Sequence, residues 1–293
     1  MRTETICLVK NPDKCIDQIL CEIFSWSKTF YKSQHFPTAW SQQRVLAPIT
    51  LSIDIACLNH GRIQAANDDL LNKVKILHED ESIVAIHKDS MIHSHPLTYG
   101  EENNVLSILR AMGRSDLLRI NPQLYDRGLL YRLDFETSGL MLLAKDQTIY
   151  DHVRKNFHQV MKGKKYIARC VGDLSAIAVN HWVHYLQSSG PKGAKIIAHH
   201  HETNAETQRA ELDWKLINYE PATNISTVEI DLLTGLRHQI RAQFSKEGYP
   251  LMGDQLYGAS AASRIYLHAY EYTVDLCGKV MKYTAPAQSE FYL

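Results

Sequence analysis

The run at residues 128–146, Gly-Leu-Leu-Tyr-Arg-Leu-Asp-Phe-Glu-Thr-Ser-Gly-Leu-Met-Leu-Leu-Ala-Lys-Asp, constrains the fold more than any other part of this sequence. Residues 129–133 read as a short strand and residues 140–145 as a buried one, because short apolar runs bounded by turn formers suit strands. Thr137, Ser138 and Gly139 supply the turn between them. Asp134 and Arg132 therefore fall on a polar loop held by two sheet-forming runs, which is where reactive groups collect. Spacing alone favours a plainer reading, an Asp that shapes a turn with a neighbouring Arg as its surface partner.

A chain of 293 residues holds one large domain, or a main domain of about 200 residues and a smaller one. A hydrophobic content of 45% is ample for a core. No apolar run approaches the roughly 20 residues of a membrane span, and the N-terminal apolar run is too short for a signal peptide. The six cysteines are scattered without a Cys-x-x-Cys pair, which fits reduced thiols in a cytosol rather than a disulfide framework or a zinc site, and the protein is expected to be a cytoplasmic monomer. Lys and Arg total 32, as do Asp and Glu, so no overall basic footprint for nucleic acid is present. The balance is uneven, however: residues 145–169 carry seven Lys and Arg against two Asp, a local patch able to attract phosphates.

Residues 1–70 differ from residues 71–293. Ile16, Ile19, Leu20, Ile23 and Phe24 recur at helical spacing, and Asn59-His60-Gly61 reads as a turn between short strands. A strand is expected at residues 82–88, a helix at 103–112 with Gly113 as its cap, and a helix after Asp146 carrying Ile149, Val153, Phe157 and Val160 on one face. Residues 164–171 form the next strand. Residues 173–205 read as a long connection with one short strand at 194–198, and His199-His200-His201 as exposed loop. His93 and His95 read as a polar loop without a third metal ligand. Residues 210–219 and 224–233 alternate as an antiparallel pair. Residues 236–248 read as a helix with Leu236, Ile240 and Phe244 on one face and Arg237 and Arg241 on another, followed by a strand at 263–274.

Four segments together resemble the RluA-type RNA pseudouridine synthase family over about residues 75–293. They are Arg132-Leu-Asp-x-x-Thr-Ser-Gly-Leu with Leu-Leu-Ala-Lys, Lys164-Lys-Tyr-Ile-Ala, Thr234-Gly-Leu-Arg-His-Gln-Ile-Arg with Gly248-Tyr-Pro-Leu-Met-Gly-Asp-Gln-Leu-Tyr-Gly, and Leu267-His-Ala. The chain departs from the family at Tyr131, where His is usual, at Leu236 and Arg237, where Arg and Thr are usual, and at Tyr249, where His is usual. It also lacks the proline and glycine of the family's Lys-Pro-x-Gly, carrying Lys88-Asp-Ser-Met91 instead. The order of elements in residues 1–70 weakly resembles the small α-L RNA-binding module that often precedes this domain, with Lys28, Lys32 and Arg44 as its basic residues.

The resemblance implies an α+β fold with a mixed, mainly antiparallel sheet and flanking helices. It implies isomerisation of uridine in rRNA or tRNA with no organic cofactor and no metal. Asp134 would be the catalytic carboxylate, kept ionised by Arg241, because a buried carboxylate resists ionisation without a nearby cation. Tyr166 would stack the uracil and bring its hydroxyl near the carbon 5 proton. Arg132 would fill the gap left by the flipped base, and Thr137, Arg154, Lys165, Arg237 and His238 would contact RNA. Two rivals remain at this level. One is a non-catalytic RNA-binding relative. The other is a nucleoside glycosidase, which needs a second carboxylate such as Glu136.

Overall fold

The computed structural model describes residues 3–24, 26–58, 62–98, 100–122, 124–276 and 278–292, so the turn expected at Asn59-His60-Gly61 lies outside the described residues. The N-terminal region comprises β1 (Thr3–Leu8), β2 (Asn11–Cys15), α1 (Ile16–Phe24), α2 (Lys28–Ser33), β3 (Arg44–Val45), β4 (Ile49–Asp54) and α3 (Ile55–Leu58). The expected helix is α1, while β1 and β4 pair antiparallel in a sheet of their own that the pattern did not reveal. Ile16, Leu20, Trp26, Val45 and Ile53 are buried in a hydrophobic cluster separate from the main core. Trp26 stacks on both Phe24 and Phe36, so aromatic rings supply much of this small core.

The remainder contains β5 (Val74–Glu79), β6 (Ile83–Lys88), α4 (Val105–Ala111), β7 (Ser138–Ala144), α5 (Gln147–Lys155), α6 (Phe157–Val160), β8 (Met161–Val171), β9 (His181–Ser189), β10 (Lys195–His199), β11 (Gln208–Glu220), β12 (Ile225–Leu232), α7 (Gln239–Lys246), β13 (Leu267–Leu276) and β14 (Lys279–Thr284). Among the described residues these strands form one sheet in the order β10-β9-β11-β12-β8-β13-β7-β6-β5, with β14 also on β13. Every pair is antiparallel except β13 with β7, which run parallel through His268 and Ala269. The fold is α+β, as the sequence implied.

Strand β7 is buried along its whole length, which explains its uninterrupted apolar composition. Truncating Leu142 or Leu143, both fully buried, to Ala removes roughly 2–5 kcal/mol of stability. Gly139 is required where β7 meets β13: its φ is +123, and a Cβ there would collide with the Ala269 backbone.

Several local expectations need correction. Residues 129–133 are not a strand; only Leu129 makes an isolated bridge to Leu143, because the chain is turning toward the loop of Asp134. The helix capped by Asp146 stops at Asn156, and Phe157 and Val160 belong to the short α6. The connection at 173–205 contains a nine-residue strand, β9, that pairs with both β10 and β11. His199 closes β10 instead of lying in a loop. Helix α7 begins three residues late. Gln239 accepts hydrogen bonds through Oε1 from the Thr234 hydroxyl (2.8 Å) and Leu236 N (3.1 Å), and donates to Glu211 O (3.0 Å). These bonds hold residues 234–238 as a loop, and His238 turns through a left-handed φ of 51° into the helix.

Candidate active site

A cleft of about 390 Å³ opens where the loop after Leu133 faces β8, β13 and the start of α7. Asp134, Tyr166 and Arg241 line it together with Arg132, Thr137, Arg154, Arg237 and His238. Eight of the nine residues singled out in the sequence thus converge, although they span more than a hundred positions.

The loop of Asp134 is clamped from both sides. Ser94 Oγ donates to Leu133 O (2.8 Å) and accepts from Leu133 N (3.0 Å). Phe135 O accepts from Met91 N (2.8 Å) and from the Lys88 ammonium (3.3 Å). Thr137 N closes the turn onto Asp134 O at 3.2 Å. Lys88 is fully buried, and its other donors go to Asp89 O and Ile92 O. Burial lowers its pKa to about 7 against the opposing pull of Asp134, Asp89 and Glu136. Met91 has φ 62 at the place the family gives to Gly, so the altered loop holds the left-handed turn with a side chain present.

No side-chain hydrogen bond or ion pair reaches the Asp134 carboxyl among the described residues. Burial pushes its pKa up to about 6; Arg241 pulls it down, Glu136 pushes it further up, and Arg237 and Lys88 oppose the rise. Arg241 does not pair with Asp134 directly. Its guanidinium, 1% exposed, donates to Asp254 Oδ2 at 2.6 Å and Oδ1 at 3.0 Å, and to Glu136 Oε2 at 3.1 Å. The bidentate pair fixes the guanidinium plane, and its charge acts on Asp134 through space.

Tyr166 and Lys164 share one face of β8, and Lys165 takes the other. The Lys165 ammonium approaches Glu229 at 3.4 Å and does not line the cleft. Lys164 lines the cleft instead; it donates to Thr234 O at 2.8 Å, and burial lowers its pKa to about 8. Period-two alternation from Tyr166 already placed Lys164 on that side. The Tyr166 hydroxyl lies 2.5 Å from that of Tyr272, which also lines the cleft. Burial raises both phenols above their ordinary range. Tyr131 joins this row: its ring centroid lies 4.5 Å from that of Tyr272, and its hydroxyl donates to Leu140 O at 3.2 Å. Sequence patterns carried no signal for Tyr272, which reaches Tyr166 only through strand pairing.

At the rim, Arg132 Nη1 donates to His95 Nε2 at 3.2 Å, while His95 Nδ1 faces Pro96 O at 2.9 Å. Arg154 lies 5.8 Å from the Tyr150 ring, and Arg237 donates to Gly193 O. His238 Nδ1 faces the Tyr257 hydroxyl at 3.1 Å; burial, then Arg241 and Arg237, lower its pKa to about 3, so it is neutral. The floor is carboxylate and phenol, and the rim is cationic. Such a site binds a polyanion at its mouth and presents a carboxylate to a neutral group within.

The family model described as RNA pseudouridylate synthase matches residues 82–246, more than half of the chain. Ribosomal large subunit pseudouridine synthase D of Blochmanniella floridana is 30% identical over 209 residues, covering 70% of this chain and 61% of that protein. Dual-specificity RNA pseudouridine synthase RluA of Escherichia coli (strain K12) is 25% identical over 224 residues, covering 72% and 92%. The solved structure of human RNA pseudouridylate synthase domain containing 1 shares the fold, with a TM-score of 0.60 at 18% identity over 75% of this chain and 87% of that one. This chain spans about three fifths of the length of the Blochmanniella floridana relative and of a Mycoplasma pneumoniae relative. The matched model, the shared fold and the motif residues gathered in one cleft agree: the chain belongs to the RluA-type RNA pseudouridylate synthase family.

Proposed function

We propose that this protein isomerises uridine to pseudouridine in structured RNA, with Asp134 as the catalytic carboxylate. The observation that carries the reading is the Asp134 carboxyl itself, without a side-chain hydrogen-bond partner among the described residues, in a cleft that ends in tyrosines and opens between arginines. The reaction breaks the bond from ribose carbon 1′ to ring nitrogen 1, turns the uracil, and joins carbon 1′ to carbon 5. Ionised Asp134 attacks the sugar or a ring carbon, or draws off a sugar proton. Its raised pKa makes it more basic than an ordinary carboxylate while leaving it ionised near neutral pH. Carbon 5 then loses its proton, which restores the double bond to carbon 6.

Tyr166 offers an aromatic face for the uracil and a hydroxyl near carbon 5. Arg241, anchored by Asp254, supplies the positive field that keeps Asp134 ionised. Arg132, at the mouth beside His95, enters the RNA stack in place of the flipped base. Arg154, Lys164 and Arg237 hold phosphates. Within residues 1–70 the segment around the separate cluster of Leu8 to Cys57 acts as an RNA-binding unit, supported by that cluster and by exposed Lys28, Lys32 and Arg44, while Ile63 and Ala66 pack in the main core. The target is rRNA or tRNA.

The test is pseudouridine mapping across cellular RNA with and without the gene, followed by reconstitution with purified protein on each site that disappears. Asp134→Asn should bind the same RNA and form no product. Product from purified Asp134→Asn protein would remove the mechanism, and RNA binding without turnover in the wild type would favour a non-catalytic relative.

A further inference from the structure

Away from the cleft, three side chains from three different elements meet. His184 on β9 places Nε2 2.7 Å from Glu247 Oε1 at the end of α7. His200, just after β10, places Nδ1 3.7 Å from the same oxygen. The two imidazole centroids are 5.2 Å apart, and the three ligand atoms all lie within 4.8 Å of one another. None of the three lines the cleft of Asp134. A His184–Glu247 hydrogen bond accounts for two of these groups. It does not account for His200, whose nitrogen is too far from the carboxylate for a direct hydrogen bond yet faces it.

A fourth residue gives an independent sign. Gln243, one helical turn before Glu247, is fully buried, and its Nε2 lies 3.0 Å from His184 Nδ1. Its Oε1 is buried with no hydrogen-bond partner. Turning the amide by half a turn gives Oε1 a partner, the Nδ1–H of the other His184 tautomer, at the cost of the long Nε2 bonds to Trp182 O (3.3 Å) and Ala210 O (3.5 Å). That tautomer leaves a lone pair on Nε2 directed at a carboxylate, an arrangement that is repulsive unless a cation lies between. The outer-shell oxygen on a ligating imidazole is the usual companion of a protein metal ligand.

We propose that His184 Nε2, His200 Nδ1 and the Glu247 carboxylate form a binding site for Zn2+ or a similar late first-row divalent cation, with water completing the shell. Metal–ligand distances of about 2.0–2.2 Å put tetrahedral ligands roughly 3.3–3.5 Å apart. The 2.7 Å contact must therefore open slightly and the 3.7 Å contact close slightly. His200 and Glu247 have that freedom, with side chains 53% and 28% exposed, while His184 at 2% is the fixed member. Two imidazoles with one carboxylate select Zn2+, Cu2+ or Ni2+ over Mg2+ or Ca2+, which want oxygen ligands. The bound ion would tie β9 and the turn after β10 to the end of α7, the helix that carries Arg241. The histidine run that reads as a loop in the sequence would then supply one ligand and not three.

The experiment uses the full chain, stripped with chelator and titrated with Zn2+ at pH 7.5 by calorimetry, with Mg2+ as the control. Expected are one high-affinity Zn2+ per chain, a higher melting temperature on loading, no response to Mg2+, and a tetrahedral visible spectrum when Co2+ is substituted. His200→Ala and Glu247→Gln replace side chains that are partly or mostly exposed, and their metal-free melting temperatures report whether each still folds. Each should weaken Zn2+ binding at least tenfold. No high-affinity Zn2+ binding by the wild type, or binding and melting shifts unchanged in both folded variants, would overturn the site. The latter result would place the ion on other histidines or thiols.

Discussion

The Tyr166 and Tyr272 hydroxyls lie 2.5 Å apart at the floor of the cleft. Each phenol has a single proton to give. Tyr131 gives its proton to Leu140 O, and either hydroxyl can be the donor between Tyr166 and Tyr272. This contact fixes the orientation of the Tyr166 hydroxyl in the cleft. Tyr272→Phe should release that orientation, lowering kcat by about fivefold to tenfold, the worth of one hydrogen bond, with KM little changed. Steady-state kinetics with tritium release from carbon 5 of the target uridine read it directly. A Tyr272→Phe enzyme with wild-type kcat would show that the hydroxyl row has no bearing on turnover.

Asp134 couples activity and stability in opposite directions. Its folded pKa, about 6, stands above the ordinary carboxylate value because of burial. The folded state therefore holds this proton more tightly than the unfolded state, and the associated stability, present below about pH 4, is lost as pH rises through about 6. Activity needs the ionised form and should rise through the same window. Asp134→Asn should accordingly be more stable than the wild type at pH 8 by about 2 kcal/mol, while forming no product. Urea melts at pH 5 and pH 8 test this: the gain should shrink at the lower pH. Glu136→Gln removes an anion that raises the Asp134 pKa, so its pH–activity midpoint should move to lower pH.

The motif residues were legible because they sit on contiguous signatures, and Asp134, Tyr166 and Arg241 all reach one cleft. What supports them was not. Asp254 was visible only as one residue in a quoted segment, and its bidentate hold on Arg241 depends on α7 packing over the following loop. Glu136 was visible only as the second carboxylate that a nucleoside glycosidase would need, yet it shares the Arg241 guanidinium. Lys164 and Lys165 are adjacent in sequence, and only the face of β8 separates their fates. Strand β9 was missed because His184 takes an inward position between Trp182 and Leu186 while Val183 and Tyr185 face outward, and its pairing with β10 and β11 outweighs that local signal.

The loop at residues 88–92 invites a stability test. Met91 holds φ 62 with its side chain 48% exposed, so it bears left-handed strain and gains little from burial. Relief of that strain is worth about 1–2 kcal/mol, offset in part by the greater freedom of glycine in the unfolded chain. Met91→Gly should raise stability by about 0.5–1 kcal/mol in urea melts. It should leave RNA turnover unchanged, because the Met91 N–H that braces Phe135 O is retained. A loss of stability would mean that the Met91 side chain contributes contacts that outweigh its backbone strain.

Arg132 and Arg241 should fail in different ways although both line the cleft. Arg241 is buried against Asp254, which is itself fully buried. Arg241→Met would leave that carboxylate unpaired at a cost of roughly 3–5 kcal/mol. It would also remove the largest influence holding the Asp134 pKa down, so the residual activity midpoint should move to higher pH on every substrate. Asp254→Asn should lower stability similarly, because it leaves the guanidinium with Glu136 alone. Arg132 is exposed at the rim and, among the described residues, hydrogen-bonded only to His95, so Arg132→Ala should leave stability within about 0.5 kcal/mol of the wild type. Its effect should depend on the substrate: a stem-loop must be unstacked, at a few kcal/mol, whereas an unstructured oligonucleotide need not be. Turnover of Arg132→Ala should therefore fall most on a stem-loop and least on an oligonucleotide carrying the same uridine and neighbours. Equal losses on the two would return Arg132 to the electrostatics of Asp134 and leave the flipped base without a protein replacement.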